Sequence, residues 1–256
     1  MSRVNPWLIA APAFAAAAAG VSAFASIHPR SQLFGSHIHG TAGVKKLAIT
    51  FDDGPNPSIT PRLLDLFDKY NARATFFVIG RFVREAPDLL QETVERGHSI
   101  DNHTETHHNL FLRSPSHIRE ELERCNDAIA ETVGSPPRWF RPPFGLRNPW
   151  VLPAANRLGL QGVMWTLIPG DWRARSAEWL IPRMQPIAQR ATAQSGGRDN
   201  ITSSASGDIL CLHDGYHGHQ NGDRRHTVAA LEYWLPRWRD LGLEFVTIDA
   251  AVPQRD

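Results

Sequence analysis

The sequence contains few cysteines, and their number excludes architectures that depend on them. Among 256 residues only Cys125 and Cys211 are cysteines, and two thiols cannot build a disulfide framework. No CxxC pair is present, which excludes a structural zinc knuckle. Cys125 falls in a helical pattern and Cys211 in an apolar strand pattern, so we predict two buried free thiols.

The sequence also lacks an excess of charge of either sign. It has 27 Lys and Arg against 26 Asp and Glu, and no basic stripe interleaved with aromatic residues of the kind that binds nucleic acid. We therefore expect no nucleic-acid partner. Beyond the N-terminal segment there is no internal repeat and no low-complexity tract. The length suits one large α/β domain.

The N-terminus differs in composition from the rest of the chain. Residues 7–26, WLIAAPAFAAAAAGVSAFAS, are alanine-rich and uncharged, follow Arg3, and include an AFA pattern at 23–25 that suits signal-peptide cleavage. A run of ~20 residues can also just span a bilayer. We predict export, with 1–25 a signal peptide or a signal anchor and 26–44 a linker. Membrane contact is expected through this segment alone, and cleavage and retention both stay open.

From residue 45 onward, short β-rich runs alternate with stretches of helical spacing. The β-rich runs are 47–51, 74–79, 98–101, 138–141, 160–165, 208–213 and 244–248. Seven short strands separated by helical segments predict repeated βα units, a parallel sheet and the α/β class. We assign 45–250 to this domain and 251–256 to a tail. Active sites of α/β barrels lie in the loops after the strands, and the unusual polar clusters here follow these runs.

The first polar cluster is ITFDDGPNPS at 49–58. It places Asp52 and Asp53 side by side where a strand ends, because Asp and Gly are poor strand formers. The simplest interpretation is turn chemistry, since Asp, Gly, Pro, Asn and Ser all serve turns. The alternative is that the fold uses two adjacent carboxylates for chemistry.

The second polar cluster is HSIDNHTETHHNL at 98–110. His103 and His107 are four residues apart, which can place both imidazoles on one face of a helical turn. Two histidines and a carboxylate make a divalent-metal site with open positions for water and substrate. Asp53 could supply that carboxylate. A solvated histidine-rich loop is the alternative.

Three further clusters follow later strands: RPPFG at 141–145, PGDWR at 169–173 and LHDG at 212–215. Arg141 can hold a carboxylate through two parallel hydrogen bonds, although an arginine is usually a surface residue. A histidine such as His213 with a carboxylate neighbour can carry a proton near neutral pH. A structural role for His213 is the alternative.

The ordered series TFDDGP, NHTETH, RPPF, GDW and ILCLHD resembles the polysaccharide deacetylase family, which is carbohydrate esterase family four with its NodB-homology domain. The resemblance runs from about Leu47 to Ile248. It implies a distorted (β/α)7 barrel, one catalytic divalent ion, zinc or cobalt, and removal of acetyl groups from a carbohydrate such as chitooligosaccharide or peptidoglycan. We also expect a monomer.

The resemblance further implies roles for individual residues. Asp52 would be the general base, and Asp53, His103 and His107 the metal ligands. Arg141 would orient the base, and the backbone N–H of Phe144 would bind the oxyanion. His213, held by Asp171, would donate a proton to the leaving group. Trp172 and Cys211 would shape the acetyl pocket.

The sequence departs from the family pattern at four positions. His108 stands where Pro is frequent and is a spare ligand or a solvated loop residue. Cys211 replaces a Leu, and its smaller side chain would enlarge the acetyl pocket. Asp101 replaces a Gly and Phe144 a Tyr, and neither change removes an implied catalytic side chain. Two rival functions stay open, a hydrolase of a small non-sugar amide and a non-catalytic carbohydrate-binding protein.

Overall fold

The structure is a computed structural model that describes residues 7–195 and 206–252. The strands are β1 (His37–Ile38), β2 (Thr41–Gly54), β3 (Thr75–Val78), β4 (Ser99–Asn102), β5 (Trp139–Phe140), β6 (Gln161–Val163), β7 (Ser206–His213) and β8 (Glu244–Val246). The helices are α1 (Trp7–Ile27), α2 (Thr60–Lys69), α3 (Gly80–Glu85), α4 (Pro87–Glu95), α5 (Pro115–Val133), α6 (Val151–Arg157), α7 (Ala177–Ser195), α8 (Arg225–Asp240) and α9 (Ile248–Ala251).

The strands form one parallel sheet that curls into a nearly closed barrel. Its order is β1-β6-β5-β4-β3-β2-β7, and β8 pairs with the first part of β2. The gap between β6 and β7 is narrowed by Leu167, which bridges to Leu210 and accepts a 2.9 Å hydrogen bond from the N–H of Cys211. The predicted distorted (β/α)7 barrel in a single domain is confirmed.

Strand β2 shows how the sequence positions the site. Successive side chains of a strand point to opposite faces. Leu47, Ile49 and Phe51 join the main core cluster with residues of the surrounding helices. Ala48 instead packs in the cluster that contains Phe77, Trp139, Val163 and Ile209 from neighbouring strands. This second cluster fills the barrel interior, so the alternation also directs Asp52 inward at the end of the strand.

The predicted elements agree with the observed ones, and the predicted linker contributes to the sheet. The seven predicted β-rich runs overlap β2 to β8 in order, although β2 and β7 begin earlier than predicted, at Thr41 and Ser206. Both cysteines are buried free thiols. Residues 26–44, predicted to be a linker, instead supply the end of α1, all of β1 and the start of β2. Strand β1 was missed because it is two residues long, and its place in the sheet comes from pairing with β6.

The N-terminal helix is attached to the barrel at its C-terminal end. The buried Arg147 donates hydrogen bonds from Nη2 to the carbonyl oxygens of Ala25 and His28, at 3.0 and 2.8 Å. Within 7–195 and 206–252, no helix is both long and apolar enough to span a membrane. Arg3 and residues 253–256 of the predicted tail lie outside the described residues.

Candidate active site

The polar clusters meet in a cavity of about 580 Å³ at the C-terminal ends of the strands. Strand β2 ends in the two aspartates, the loop after β4 carries the histidine pair, and β7 ends at His213. Parallel strands bring the loops after them to one edge of a barrel. The predicted residues that line the cavity are Asp52, Asp53, His103, His107, Phe144, Trp172 and His213.

Asp53 and the two histidines form a compact, buried triad. His107 Nε2 lies 3.1 Å and His103 Nε2 3.6 Å from Asp53 Oδ1. His103 Nδ1 lies 2.7 Å from the carbonyl oxygen of Arg141. The carbonyl can only accept, so Nδ1 carries the proton and Nε2 offers its lone pair to the triad. The two histidines meet as predicted, but not on a helical turn: residues 103–107 form a loop in which Thr104 and His107 have left-handed backbone angles.

The protonation states of Asp53 and His103 suit metal ligands rather than an isolated ion pair. Burial lowers the pKa of His103 to about 4, which keeps this imidazole neutral. Burial would raise the pKa of Asp53, but contacts with His107 and His217 outweigh it and hold that pKa well below its usual range. An ionised carboxylate beside a neutral imidazole is the protonation state in which both groups bind metals.

Asp52 faces a different set of partners from its neighbour. Arg141, which is fully buried, donates a 2.7 Å hydrogen bond from Nη1 to Asp52 Oδ1 and another of 2.7 Å to Thr50 Oγ1. The ring of Phe77 lies 4.2 Å below the guanidinium. Arg141 therefore binds Asp52 through one hydrogen bond rather than through two parallel ones, because its Nε and Nη2 point to the carbonyl oxygens of Val163 and Met164, at 3.3 and 3.4 Å.

Asp171 orients His213, which ends the strand next to β2 and lies beside Asp52. Asp171 Oδ1 lies 2.8 Å from His213 Nδ1, and Asp171 Oδ2 accepts a 2.8 Å hydrogen bond from the backbone N–H of His213. Burial would lower the pKa of His213, but the charge of Asp171 and its hydrogen bond raise it to about 9. His213 thus stays protonated at neutral pH. Its partner is Asp171 from a distant loop rather than the adjacent Asp214.

Three residues of the site have left-handed backbone conformations. The φ angles are 73° at Asp53, 61° at His107 and 59° at Phe144. Non-glycine residues rarely adopt such angles, and conformations of this kind cost ~1–3 kcal/mol and cluster at functional sites. At Asp53 the unusual φ has a visible effect. It breaks the strand alternation and lets both adjacent carboxylates reach the same cavity.

The three residues predicted to contact substrate lie in two different environments. Phe144 and Trp172 are exposed at the cavity, with the Phe144 ring 4.7 Å from His107 and the Trp172 ring 5.1 Å from His213. Cys211 was predicted to shape the acetyl pocket, but it is fully buried and does not line the cavity. Its Sγ lies 3.4 Å from Asp52 Oδ2. Cys211 therefore contacts the Asp52 carboxylate without forming part of the cavity wall.

Two residues of the site were missed at the sequence level. His217 stacks on His107 with ring centroids 4.6 Å apart, and its Nδ1 lies 3.9 Å from Asp53 Oδ2. Tyr216, beside it, also lines the cavity. The signal was the segment GYHGHQ at 215–220, which directly follows the last motif and is rich in histidine.

Comparison with known proteins agrees with this geometry. A sequence model of the family described as polysaccharide deacetylase matches residues 39–163. The chain is 38% identical over 209 residues to a peptidoglycan-N-acetylglucosamine deacetylase of Bacillus cereus, across 80% of this chain and 86% of the relative. It is 32% identical over 210 residues to a chitooligosaccharide deacetylase of a Bradyrhizobium species, across 79% of this chain and 89% of the relative.

Solved structures give the same result. A crystal structure of a peptidoglycan N-acetylglucosamine deacetylase superposes with a TM-score of 0.71 at 25% identity, covering 84% of this chain and 91% of that one. The barrel, the order of the motifs and these relatives lead to one conclusion. The chain belongs to the polysaccharide deacetylase family and is a carbohydrate deacetylase.

Proposed function

We propose that the chain is a metal-dependent hydrolase that removes N-acetyl groups from a polymer or oligomer of N-acetylglucosamine. The observation that carries this proposal is the convergence, in one cavity, of three groups of different character. They are the ligand triad of Asp53, His103 and His107, the base Asp52, and the protonated His213.

The triad fits a divalent ion. Asp53 Oδ1 is buried and, although His107 Nε2 lies 3.1 Å away, it has no hydrogen bond of good geometry among the described residues. An anionic oxygen in that position is costly unless a cation neutralises it. Two imidazoles and one carboxylate also leave open positions, as catalytic zinc sites do. When bound, such an ion polarises a carbonyl and makes water far more acidic. Zinc or cobalt is the expected metal.

The side chains around the triad would accept and donate the protons of the reaction. Asp52, held by Arg141, accepts the proton of the attacking water, and the Arg141 charge keeps that carboxylate in place before the attack. His213 then gives its proton to the leaving amine, which would otherwise depart as an unstable anion. The backbone N–H of Phe144 would donate to the developing oxyanion, and one such donor is typically worth ~3 kcal/mol.

The walls of the cavity support a sugar substrate. Phe144, Trp172 and Tyr216 are exposed aromatic side chains around its mouth. Exposed apolar surface that borders polar groups commonly marks a binding site. Flat rings of this kind can pack against the apolar face of a pyranose. The named relatives act on peptidoglycan and on chitooligosaccharide, and both substrates contain N-acetylglucosamine.

The test is acetate release from a panel of substrates, with and without chelator. The panel contains chitooligosaccharide, peptidoglycan glycan strands, acetylated xylan and a small cyclic amide. We expect release from the first two, loss with chelator and recovery with zinc or cobalt. His107→Ala should lower metal content and turnover together, whereas His39→Ala, outside the cavity, should change neither. Turnover of the cyclic amide alone, or chelator-resistant release, would contradict the proposal.

We also propose that the protein is exported. The support is the alanine-rich helix α1 with its AFA pattern at residues 23–25. Mass spectrometry of secreted and envelope fractions separates the two forms. A chain that starts at Ser26 indicates cleavage, and an intact chain in the membrane fraction indicates an anchor. Full-length protein in the cytoplasm alone would contradict export.

A further inference from the structure

A second cluster of metal-binding side chains lies outside the cavity, where the loop after β4 meets helix α5. His108 Nδ1 lies 3.2 Å from His117 Nε2 and 3.3 Å from Glu121 Oε1, and His117 Nε2 lies 3.8 Å from Glu121 Oε1. Glu121 is buried, and both histidines are partly exposed. None of the three lines the active-site cavity.

We propose that His108, His117 and Glu121 bind a second divalent transition-metal ion, independent of the catalytic one. Zinc lies ~2.0–2.2 Å from imidazole nitrogens and carboxylate oxygens. Tetrahedral geometry at that radius places ligand atoms about 3.3–3.6 Å apart. The His108–Glu121 separation of 3.3 Å falls within that range, the His108–His117 separation of 3.2 Å is just below it, and the His117–Glu121 separation of 3.8 Å exceeds it by 0.2 Å. An ion bound here would replace the 3.0 Å hydrogen bond between His108 Nδ1 and Thr106 Oγ1 and the 3.2 Å contact between the two imidazoles.

The surroundings hold the carboxylate in position. Thr106 donates two hydrogen bonds to Glu121, one of 2.7 Å from Oγ1 to Oε1 and one of 2.9 Å from its backbone N–H to Oε2. Groups that orient a ligand in this way commonly strengthen metal binding 10- to 100-fold. His117 and Glu121 are four residues apart on α5, so one helical face presents both ligands. The open side of the site faces solvent and gives an ion access.

The chemistry of the ligands defines the class of ion. Two imidazoles with one carboxylate favour zinc, nickel or copper over magnesium and calcium, which prefer oxygen ligands. An ion here would join the loop that carries His103 and His107 to helix α5. His107 has a left-handed backbone, and the chain then sends His108 away from the cavity and toward Glu121. The proposed role is to brace the loop of the catalytic ligands.

The test is zinc stoichiometry by equilibrium dialysis and elemental analysis of the full chain after stripping with chelator. We expect two zinc ions per wild-type chain. We expect one in His117→Ala, one in His107→Ala and none in the double variant. Glu121→Gln should weaken the second site at least 10-fold, because a neutral amide replaces the anionic ligand. His39→Ala is the matched control and should retain two.

The outcomes separate this proposal from the proposed catalytic metal. One ion in the wild type that survives in His117→Ala and is lost in His107→Ala would overturn the second site and leave the catalytic one intact. Two ions in His117→Ala would also overturn it. Loss of one ion in His117→Ala, with deacetylation retained in excess zinc, supports it. Diffraction at the zinc absorption edge should then show a peak between His108, His117 and Glu121.

Discussion

At the scale of residues, Asp52 and Asp53 have different nearest partners although they are adjacent. Asp52 contacts a buried guanidinium, while Asp53 contacts imidazoles. The separation depends on the φ of 73° at Asp53. A regular strand would point one of the two carboxylates out of the barrel. The sequence motif identified the pair, but the backbone angle that lets both reach the cavity is set by the packing around it.

Asp171→Asn tests the acid assigned to His213. The raised pKa of about 9 comes from the Asp171 charge. Without that charge the pKa falls to the ordinary value of about 6.5 or lower. The acid must be protonated, so activity is present below the pKa and lost above it. We therefore expect the alkaline limb of kcat/KM to move down from about pH 9. The ratio of activity at pH 8 to that at pH 6 should fall about 20-fold or more relative to wild type.

The ratio distinguishes proton supply from general damage to the site. A variant that merely misplaces His213 loses activity equally at pH 6 and pH 8. An unchanged alkaline limb in Asp171→Asn, with overall activity reduced, would show that His213 is not the titrating acid.

Phe144 allows a stability test of the left-handed backbone. Glycine normally destabilises relative to alanine by ~0.4–1 kcal/mol, because the unfolded glycine chain is more flexible. A left-handed conformation costs a residue with a Cβ ~1–2 kcal/mol. At Phe144 the usual order should reverse, so urea unfolding should find Phe144→Gly up to ~1 kcal/mol more stable than Phe144→Ala.

Tyr233 is the control for this pair. It is 38% exposed and lies in the interior of helix α8, where the backbone is ordinary. Glycine in a helix interior is less stable than alanine by ~1 kcal/mol, so Tyr233→Ala should be more stable than Tyr233→Gly. The same order at both positions would contradict a strained backbone at Phe144.

At the scale of elements, the loop after β7 packs directly against the end of β2. A Cβ on Gly215 would lie 2.0 Å from the carbonyl oxygen of Asp53, whereas one on Gly218 would meet the movable ring of Tyr216 at 2.5 Å. Gly215→Ala must push the two loops apart and displace the ligand Asp53. We expect ~1–3 kcal/mol lower stability together with weaker metal retention, measured by urea unfolding and by elemental analysis.

Gly218→Ala is the control and should resemble wild type in both measurements. A Gly215→Ala protein that keeps full metal content would contradict the close contact between the two loops.

The elements also show how far the sequence alone could lead. Apolar residues recur at helical spacing in two segments, at Ile59, Leu63, Leu64 and Phe67 and at Ile118, Leu122 and Ile129. Both segments are helical, as α2 and α5, because one apolar stripe on each is buried in the core. The register of β2 against β3 and β7 places Asp52 beside His213. No local sequence pattern indicates this register. The same holds for His217, whose place beside Asp53 is a long-range contact.

At the scale of the whole molecule, the barrel brings together residues as far apart in the chain as Asp52 and His217, which are 165 positions apart. The proximity of these residues in the fold cannot be inferred from the motifs or from their spacing along the chain. The predicted site residues were assigned to one site by the family resemblance and by the rule that loops after parallel strands share an edge. Contacts without a motif could not be inferred in this way, among them the docking of Arg147 on the end of α1 and the burial of Cys211 beneath Asp52.

The central claim is that the adjacent aspartates divide the chemistry, with Asp52 as base and Asp53 as metal ligand. The most direct measurement is the deacetylation rate of Asp52→Asn and Asp53→Asn against added zinc or cobalt. Asp52→Asn should keep its metal and lose ~10²–10⁴-fold in rate at every metal concentration. Asp53→Asn should lose metal and recover partly as metal is added, because only the affinity of the site is weakened. If added metal restores the activity of Asp52→Asn but not that of Asp53→Asn, the two roles are assigned the wrong way round. Full activity in both variants would mean that the two aspartates serve only to form a turn.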